Sequence, residues 1–515
     1  MRLFDYLDKA AEAAPTSVAI VQGETTVSYG ELAAESRRFA NALNASELED
    51  GAIVATWLPN DTSFFVCQYG THRTKKVWMP ISPRATRNEA VELLNAFGVR
   101  WLVVHHGFAA RLDEIRAQVP GLVGLVVAGG TVGAYPSLAD WIGSQADAYR
   151  DADVGPLDFV TLLTTGGSTG LPKGVERTSL NWTTMIANYR MALPLDAPPV
   201  NLAVTPLSHV AGDIALATFA QGGTVVLCPD TKPGTVLDQI EKHRISTAFL
   251  PPTLAYGLLA EDGVRTRDFS SLRYLIYGSA PMSLAKLREA WEVFGPVMTQ
   301  IYGLTEITST AAIMSPGEHD AALRECPARL ASCGRGSPSI VVGVVDDDGK
   351  PVRVGERGEV ALRGNALMRG YFGNAEATGA AVRDGWFRTG DIGYLDESGY
   401  LYLVDRKKDL IISGGFNVYP GEVEQIVWKH PSVKDCAVVG LPDEKWGEAV
   451  TAVVELKPGQ TLVEQELIEQ CRLQLGSVKA PKKIVIWDAL PRSTVGKVLK
   501  KDIRAHFWKE TGRAI

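Results

Sequence analysis

Residues 164–175 are the stretch that decides the fold, and they read Thr164-Thr165-Gly166-Gly167-Ser168-Thr169-Gly170-Leu171-Pro172-Lys173-Gly174-Val175. These twelve residues contain four glycines, four hydroxyl side chains and one lysine. Glycines let the backbone turn several N–H groups toward one point, while hydroxyls add donors and the lysine adds positive charge. The Walker spacing, Gly-x4-Gly-Lys-Ser/Thr, is absent. We interpret the stretch as a loop that binds a polyphosphate; the alternative is a flexible surface loop.

Length and charge narrow the class of protein. The 515 residues predict more than one domain, because a single core stops growing at roughly 250–300 residues. A net charge of −7 gives no electrostatic reason to expect nucleic-acid binding. No apolar run reaches the roughly 18 residues that a membrane span needs, and Met1–Leu7 does not resemble a signal peptide. We therefore predict a cytoplasmic enzyme with no integral membrane segment; the sequence leaves the oligomeric state open.

The cysteines indicate neither disulfides nor zinc. They form no CxxC pair and have no histidine at a spacing that suits zinc. We expect reduced, mostly buried thiols. The six positions are Cys67, Cys228, Cys326, Cys333, Cys436 and Cys471.

Residues before about 340 alternate helical and strand patterns. Tyr29–Leu43 is amphipathic and has Glu31 in its first turn, which is typical of a helix. Short apolar runs between helices predict strands and an α/β fold with layered, mainly parallel sheets. The predicted strands are Ile53–Leu58, Trp101–Val104, Val225–Leu227, Thr247–Leu250 and Tyr274–Tyr277.

The sequence pattern changes at about residue 340 and again near residue 405. Short strands and frequent turns, as at Val344–Pro351, first predict a β-rich subdomain. A compact α+β module then follows the charged stretch Asp405–Asp409. We predict a large N-terminal domain over residues 1–407 and a small, mobile C-terminal domain over 408–515.

Further motifs follow the glycine-rich loop in order along the chain. They are Gly278–Pro281, Gln300–Glu306, Gly385–Asp391, Asp405–Asp409, Ser413–Pro420 and Pro491–Lys497. Together the motifs closely resemble those of the adenylate-forming superfamily, which includes acyl- and aryl-CoA synthetases, peptide-synthetase adenylation domains and luciferases. The resemblance covers essentially the whole chain and is greatest to bacterial fatty-acyl or aryl-CoA ligases.

The resemblance implies an ATP site built around the glycine-rich loop. Thr165, Ser168, Thr169 and Lys173 would bind the β- and γ-phosphates, and Gly166, Gly167 and Gly170 would let the loop move as pyrophosphate leaves. Gly278, Ser279, Ala280 and Pro281 would sandwich the adenine together with Tyr302, Gly303 and Leu304. Taken alone, Tyr302 could equally be a core aromatic.

The resemblance also assigns the α-phosphate, metal and ribose contacts. Thr305 would bond the α-phosphate and Glu306 would hold Mg²⁺, a hard cation that prefers oxygen ligands. Asp391 would accept the ribose hydroxyls and Arg406 would reach the same sugar. Out of context, a Thr-Glu pair is more often a helix start, and Asp391 is more often a turn residue.

The C-terminal motifs imply a hinged domain that serves two steps. Lys497 would bridge the carboxylate and the α-phosphate as the new bond forms, and Lys408 would be the hinge. Gly414 and Gly415 would line a tunnel for the pantetheine arm of coenzyme A. Alone, Lys497 is a solvated lysine and the glycines form a plain turn.

The acid site is the least specified part. His209, within Pro206–Gly212, would border the acid and gate the tunnel, or it could be a satisfied interior histidine. No arginine is obviously placed to pair with a second carboxylate, so we expect a monocarboxylate, aliphatic or aryl. The polar run Ile307–Thr310 favours a smaller or more polar acid over a long chain.

Three stretches depart from the family pattern. Gly166 stands where many members have serine, and Phe416 stands where many have glutamate. The basic segment Thr71–Trp78, with Lys75 and Lys76, replaces a small Gly/Ala-rich stretch. We interpret that segment as a surface face, with contact to the CoA phosphates as the alternative.

The leading prediction is an acid–CoA ligase that uses ATP, Mg²⁺ and coenzyme A. The chain would convert a carboxylic acid to its acyl-adenylate, release pyrophosphate and transfer the acyl group to the CoA thiol. The alternatives are transfer to the phosphopantetheine of an acyl carrier protein, adenylation of another oxyacid such as nitrite, and a luciferase-like oxygenase.

Overall fold

The computed structural model describes residues 1–110, 112–149, 151–165, 172–443, 445–492 and 498–508. Helices and strands alternate through the first part of the chain. Its elements are α1 (Leu3–Ala13), β1 (Val18–Gln22), β2 (Thr25–Ser28), α2 (Tyr29–Ala45), β3 (Ile53–Trp57), α3 (Thr62–His72), β4 (Val77–Ile81), α4 (Arg87–Ala96), β5 (Trp101–His105), α5 (Leu112–Gln118), β6 (Gly124–Ala128) and α6 (Leu138–Gly143).

The alternation continues through the middle of the chain. The next elements are β7 (Phe159–Thr164), β8 (Gly174–Thr178), α7 (Ser179–Ala192), β9 (Val200–Ala203), α8 (Val210–Phe219), β10 (Thr224–Leu227), α9 (Pro233–Lys242), β11 (Thr247–Phe249), α10 (Pro252–Leu259), β12 (Tyr274–Tyr277), α11 (Leu284–Phe294), β13 (Met298–Tyr302), β14 (Ala312–Met314), α12 (Pro316–Glu325) and β15 (Arg335–Gly336).

Strands dominate the following region. Its elements are β16 (Ile340–Val345), β17 (Gly358–Gly364), β18 (Gly370–Tyr371), α13 (Ala375–Ala381), β19 (Val382–Arg383), β20 (Trp386–Leu395) and β21 (Leu401–Arg406). The C-terminal region mixes both types. It contains β22 (Ile411–Ser413), β23 (Phe416–Val418), α14 (Pro420–Val427), β24 (Val433–Asp443), β25 (Gly447–Leu456), α15 (Glu464–Lys479), β26 (Lys483–Trp487) and α16 (Lys500–Trp508).

Two large sheets form the N-terminal layers. One has nine strands in the order β15-β14-β13-β12-β11-β9-β10-β1-β2 and is parallel from β13 through β1. The other has seven strands in the order β18-β8-β7-β4-β3-β5-β6 and is parallel from β7 to β6. In both sheets the antiparallel strands lie at the ends, which confirms the predicted α/β fold with mainly parallel sheets.

Two smaller sheets follow. The β-rich region forms the sheet β16-β17-β20-β19, with β21 paired to β20. The C-terminal sheet has the order β23-β22-β25-β24, with β26 paired to β25. The predicted β-rich subdomain and α+β module are both present. Strand β18 belongs to the seven-stranded sheet although it lies within the β-rich stretch, because Tyr371 pairs with Val175.

One hydrophobic core of the N-terminal layers includes aromatic contacts among α2, α3 and α8. Phe219 of α8 makes edge contacts with Tyr29 and Phe65, at ring-centroid distances of 6.2 and 4.9 Å. All three side chains are buried. Because burying a phenylalanine stabilises a fold by about 1.5–3 kcal/mol, this cluster helps fix α8, the helix that follows His209.

Helix α2 shows how closely local sequence sets the element boundaries. Ser28 accepts a hydrogen bond from the Glu31 N–H, and the Glu31 carboxylate accepts one from the Ser28 N–H, which forms a capping box. The predicted helix Tyr29–Leu43 extends two residues further, to Ala45.

The basic segment is a correction to the sequence analysis. Arg73 is fully buried and Lys76 nearly so, whereas Lys75 is exposed. The Arg73 guanidinium pairs with Asp8 at 2.6 Å and with Asp151 at 3.1 Å. The segment is therefore largely internal, with Arg73 linking the end of α3 to Asp8 and Asp151, and it is not a basic surface.

Two further predictions concern thiols and membrane spans. All six cysteines are free, and all except Cys326 are buried, as expected for reduced thiols. Among the helices of the described ranges, none combines the length and the apolar character required to cross a membrane.

Candidate active site

The base of the glycine-rich loop is a closed hairpin between β7 and β8. The Thr165 N–H donates to the Lys173 carbonyl at 3.0 Å. A Cβ on Gly174 would lie 2.6 Å from the Phe97 ring, so a larger residue at this exit would force that ring to move. The predicted phosphate-binding residues Gly166, Gly167, Ser168, Thr169 and Gly170 lie outside the described residues.

Tyr371 connects the loop lysine to the predicted magnesium ligand. The Lys173 ammonium lies 4.4 Å from the centroid of the Tyr371 ring, within the range of a cation–π contact. The Tyr371 hydroxyl donates to the Glu306 carboxylate at 2.9 Å. Tyr371 was not predicted from the sequence, where its signal was an aromatic residue in the glycine-flanked stretch Arg369–Gly373.

Thr305 and Glu306 lie in a tight turn at the end of β13. Thr305–Ile307 forms one turn of 3₁₀ helix, and Thr308 and Ser309 then adopt left-handed backbone conformations. A Cβ on Gly303 would lie only 1.6 Å from the Ser309 carbonyl, so the turn requires glycine there. The Glu306 carbonyl accepts a hydrogen bond from the Met368 N–H at 2.7 Å, which fixes the turn against the β-rich region.

The Gly278 loop lies beside this turn because β12 and β13 are parallel neighbours. Parallel strands bring their carboxyl ends to one edge of a sheet, where ligands usually bind. A Cβ on Gly278 would lie 2.5 Å from the Ile301 carbonyl, and Ser279 has a φ of 65°. Ala280 and Pro281 continue the loop toward α11. The structure therefore places the predicted adenine-binding residues next to Tyr302, Gly303 and Leu304.

Asp391 is the buried acid of the predicted ribose site. Its carboxylate accepts a hydrogen bond from the Tyr302 hydroxyl at 2.6 Å and pairs with Arg406 Nε at 2.9 Å. Burial, reinforced by Asp391, raises the pKa of Tyr302 well above its usual value, so the phenol stays a donor. A carboxylate has about four acceptor sites, so capacity remains for ribose hydroxyls.

His209 borders a cavity of about 260 Å³. Its ring Nε2 is buried and has no hydrogen-bond partner among the residues that the structure describes. Burial, followed by the charge of Arg84, lowers the pKa of His209 to about 4, so the imidazole is neutral near pH 7. This unpartnered nitrogen argues against the alternative of a satisfied interior histidine. Other residues lining the cavity include Arg84, Val210, Phe249, Pro251, Leu254 and Ser279.

Asn60 holds the segment that precedes His209. Its side-chain amide donates to the Thr205 carbonyl and accepts from the Leu207 N–H, both at 3.0 Å. Asn60 was not predicted from the sequence, since an asparagine after a strand gives no sign of a partner 145 residues away.

Arg177 is a further residue that the sequence analysis missed. It lies on β8 and its Nη2 donates to the Thr305 carbonyl at 3.0 Å. Its Nη1 lies 3.6 Å from the Asp213 carboxylate. An arginine therefore does contact the predicted α-phosphate turn, although Asp213 already offsets its charge.

The described residues contain no cluster of three or more His, Cys, Asp or Glu side chains able to hold a metal by themselves. A Mg²⁺ ion bound at Glu306 would need phosphate or water oxygens to complete its shell, as this cation usually does. A carboxylate already oriented by Tyr371 fits that requirement.

The residues around the predicted hinge form ion pairs with the last helix. Lys408 lies in the 3₁₀ turn Lys407–Asp409, and Arg504 of α16 pairs with Asp409 at 2.9 Å. Lys500, also in α16, pairs with Glu424 at 2.8 Å and lies 3.9 Å from Asp405. Lys497 lies outside the described residues.

Gly414 and Gly415 form the turn between β22 and β23. Both have left-handed φ values, 58° and 80°. The Gly414 N–H donates to the Trp446 carbonyl at 2.7 Å, and a Cβ on Gly414 would lie 2.9 Å from the Trp446 ring. Space therefore restricts position 414, whereas at position 415 only the left-handed backbone favours glycine.

Comparison with known proteins identifies the family. The sequence model of the AMP-binding enzymes matches residues 7–372, and the model of their C-terminal domain matches residues 422–497. The chain belongs to the AMP-binding enzyme family, which confirms the resemblance to adenylate-forming enzymes.

Curated relatives match along almost their whole length. A medium/long-chain fatty acid–CoA ligase from Mycobacterium tuberculosis is 35% identical, and the alignment covers 96% of this chain and 88% of the relative. A feruloyl-CoA synthase from Amycolatopsis is 34% identical, with 97% and 98% covered. Among solved structures, ATP-bound MatB from Rhodopseudomonas palustris superposes with a TM-score of 0.90 at 28% identity, with 100% of both chains covered.

Proposed function

We propose that the chain is an ATP-dependent acid–CoA ligase acting on a fatty or aryl acid. One observation carries the proposal. The Thr305 turn, the Tyr302–Asp391 hydrogen bond and the Gly278 loop meet at the end of β13, beside the cavity bordered by His209. That arrangement suits a nucleotide whose α-phosphate points toward a carboxylic acid.

In the first step, a carboxylate oxygen of the acid attacks the α-phosphorus of ATP. The bond to the β-phosphate oxygen breaks, and pyrophosphate leaves with the electron pair. Thr305 would donate to the α-phosphate, and Lys173 would offset charge on the leaving phosphates. Bound Mg²⁺ would screen phosphate repulsion, with Glu306 as its protein ligand. Lys497 would bridge the carboxylate and the α-phosphate as the new bond forms.

In the second step, the CoA thiolate attacks the acyl carbon, and AMP leaves as the acyl–oxygen bond breaks. The C-terminal domain would turn about Lys408 between the steps, and Gly414 and Gly415 would then face the pantetheine arm. Neutral His209 would border the acid without adding charge to the pocket.

Fatty and aryl acids are proposed together because the relatives' names include both kinds. The cavity beside His209 has apolar walls, among them Val210, Phe249 and Leu254, and these suit either an alkyl chain or a ring. The predicted cytoplasmic location is part of the same proposal.

The test measures pyrophosphate and AMP formed from ATP with a panel of fatty, aryl and small acids, with and without CoA. We expect pyrophosphate with at least one acid, and AMP plus a thioester when CoA is added. ADP and phosphate as products, or no acid-dependent turnover at all, would contradict the proposal. Pyrophosphate without thioester would instead support a carrier-protein acceptor or another oxyacid.

A matched pair of variants checks that the nucleotide site is the one described. Asp391→Asn should raise the KM for ATP by at least about tenfold, because a charged acceptor of hydrogen bonds is worth about 1.5–3 kcal/mol. Asp396→Asn is the control. Asp396 lies in the turn between β20 and β21, where it caps Ser398 and Tyr400, so its variant should leave that KM unchanged.

A further inference from the structure

The two carboxylate oxygens of Glu306 have different surroundings. Glu306 Oε1 accepts the hydrogen bond from the Tyr371 hydroxyl at 2.9 Å. Glu306 Oε2 has no hydrogen-bond or ion-pair partner in the part of the chain that the structure describes. The residue as a whole is half-buried. A carboxylate with one oxygen held and the other unpaired suits a hard cation that takes a single oxygen from the protein.

Tyr371 is held from several sides, so its hydroxyl has a defined direction. Its backbone pairs with Val175 where β18 lies against β8. Its N–H donates to the Thr378 hydroxyl at 2.9 Å. The residue is 8% exposed and belongs to the hydrophobic cluster that contains Ile307 and Phe387. A group that orients a metal ligand must itself be fixed in this way.

The same ring also contacts the exit of the glycine-rich loop. Lys173 Nζ lies 4.4 Å from the ring centroid, and Val175, which pairs with Tyr371, is two residues further along the chain. The Phe372 N–H donates to the Gly174 carbonyl at 2.8 Å. Tyr371 therefore lies between the lysine proposed to act on the leaving phosphates and the carboxylate proposed to bind the metal.

The backbone of the Glu306 turn has other supports. The Met368 N–H donates to the Glu306 carbonyl at 2.7 Å, and the Thr308 hydroxyl donates to the Ala366 carbonyl at 2.8 Å. Thr308 has a φ of 49°, a conformation that persists only where the surroundings enforce it. These contacts hold the main chain of the turn, whereas the Tyr371 hydroxyl is the contact that directs the carboxylate.

We propose that Tyr371 is the positioning residue of the magnesium site, whose hydroxyl holds Glu306 Oε1 so that Oε2 binds the metal of the magnesium–ATP complex. The inference rests on the proposed function and deepens it, because it assigns the group that orients the metal ligand. The competing explanation is that Tyr371 only packs between β8 and the turn. That packing would support nucleotide binding equally with and without metal.

The experiment measures binding of α,β-methylene-ATP, an analogue that cannot release pyrophosphate because a methylene group replaces the bridging oxygen. Isothermal titration calorimetry gives its Kd in the presence of Mg²⁺ and, separately, in EDTA. The readout is the ratio of the Kd in EDTA to the Kd with Mg²⁺, which measures how strongly metal and nucleotide support each other's binding. The wild-type ratio should exceed about tenfold.

The decisive variant is Tyr371→Phe, which removes the hydroxyl and keeps the ring against Lys173. Loss of a group that orients a metal ligand typically weakens metal binding 10–100-fold. We therefore expect the ratio to fall about tenfold toward one, with the Kd in EDTA unchanged. In a Glu306→Gln background, Tyr371→Phe should not change the ratio further, because the hydroxyl acts through that carboxylate.

Tyr274→Phe is the matched control for losing a tyrosine hydroxyl. The Tyr274 hydroxyl donates to the Pro194 carbonyl at 2.6 Å, at the amino end of β12 and so at the sheet edge opposite the site. This variant should keep both Kd values.

Three results would overturn the inference and leave the packing explanation. They are an unchanged ratio in Tyr371→Phe, an equal weakening with Mg²⁺ and in EDTA, and an equal fall of the ratio in the Glu306→Gln background. Each of them would leave the proposed function standing, provided that the wild type releases pyrophosphate from ATP with an acid. No binding of the analogue to the wild type under either condition would refute the proposed function together with the inference.

Discussion

Lys500→Met should destabilise the C-terminal region strongly. The Lys500 ammonium lies 2.8 Å from the Glu424 carboxylate and 3.9 Å from that of Asp405, and both acids expose under a tenth of their side chains. Without the lysine, two buried carboxylates would face each other. Breaking a buried pair from one side costs about 3–5 kcal/mol, and we expect a loss of that size.

The loss should grow with pH. Burial raises the pKa of Glu424 above its usual value even with Lys500 present, and removing the lysine raises it further. A group with a raised folded-state pKa contributes stability below its unfolded pKa, and that contribution is lost as pH rises through the folded pKa. The variant should therefore be closer to wild type at about pH 5 than at about pH 8.

Lys479→Met is the matched control, because Lys479 pairs with Glu422, which lies on the same helix, α14, as Glu424. That lysine exposes 35% of its side chain, and Glu422 keeps a second partner in Arg357. An exposed pair is worth about 0–1 kcal/mol. Urea unfolding at both pH values gives the free energy of unfolding of the wild type, Lys500→Met and Lys479→Met. Equal losses in both variants, or a larger Lys500→Met loss at the lower pH, would refute the reasoning.

Three further predictions concern the active site. Tyr302→Phe should raise the KM for ATP about tenfold, since it removes a hydrogen bond of about 1.5 kcal/mol to the Asp391 carboxylate; an unchanged KM would contradict this role. Gly303→Ala should abolish pyrophosphate release, because its Cβ would lie 1.6 Å from a carbonyl, whereas Gly317→Ala has free space and should be active. Lys408→Pro should leave the rate of adenylation unchanged and slow thioester formation, with the two half-reactions measured separately. Wild-type rates in both half-reactions would exclude Lys408 as the hinge.

Local patterns were sufficient to predict most of the fold. The strand Tyr274–Tyr277 matches its predicted bounds because an apolar run this short, between turns, is too short for a helix and favours a buried strand. Sheet membership was not predictable in the same way. Strand β1 pairs with β10, about two hundred residues later, and no local signal specifies such a partner.

In the candidate site, too, residues within motifs were predicted and single residues outside motifs were not. Thr305, Glu306 and Asp391 were predicted from the resemblance of their motifs to those of a known family, and the structure places Tyr302 and Arg406 against Asp391. Arg177 and Tyr371 were missed because each is a single residue in an ordinary strand. The structure shows that Arg177 lies in a mostly buried strand, but the adjacent charges Glu176 and Arg177 do not reveal from the sequence which of them points inward.

The basic segment shows the opposite error, in which a local pattern misled. A cluster of Arg73, Lys75 and Lys76 is normally a solvated face, but the acids that pair with Arg73 lie 65 and 78 residues away in the sequence. Long-range ion pairs of this kind leave no trace in local composition.

The ion pairs around Asp405 bear on how modules of this family can be exchanged. Asp405 precedes the predicted boundary at residue 408, yet it accepts from the Gly421 N–H at 2.6 Å and faces Lys500, both in the C-terminal part. Arg406, the next residue, pairs with Asp391 in the large domain. A chimera joined at residue 408 would therefore combine an acid from one parent with a lysine from the other. Grafting a foreign C-terminal module should succeed best when the residues at 405, 421, 424 and 500 come from the same parent.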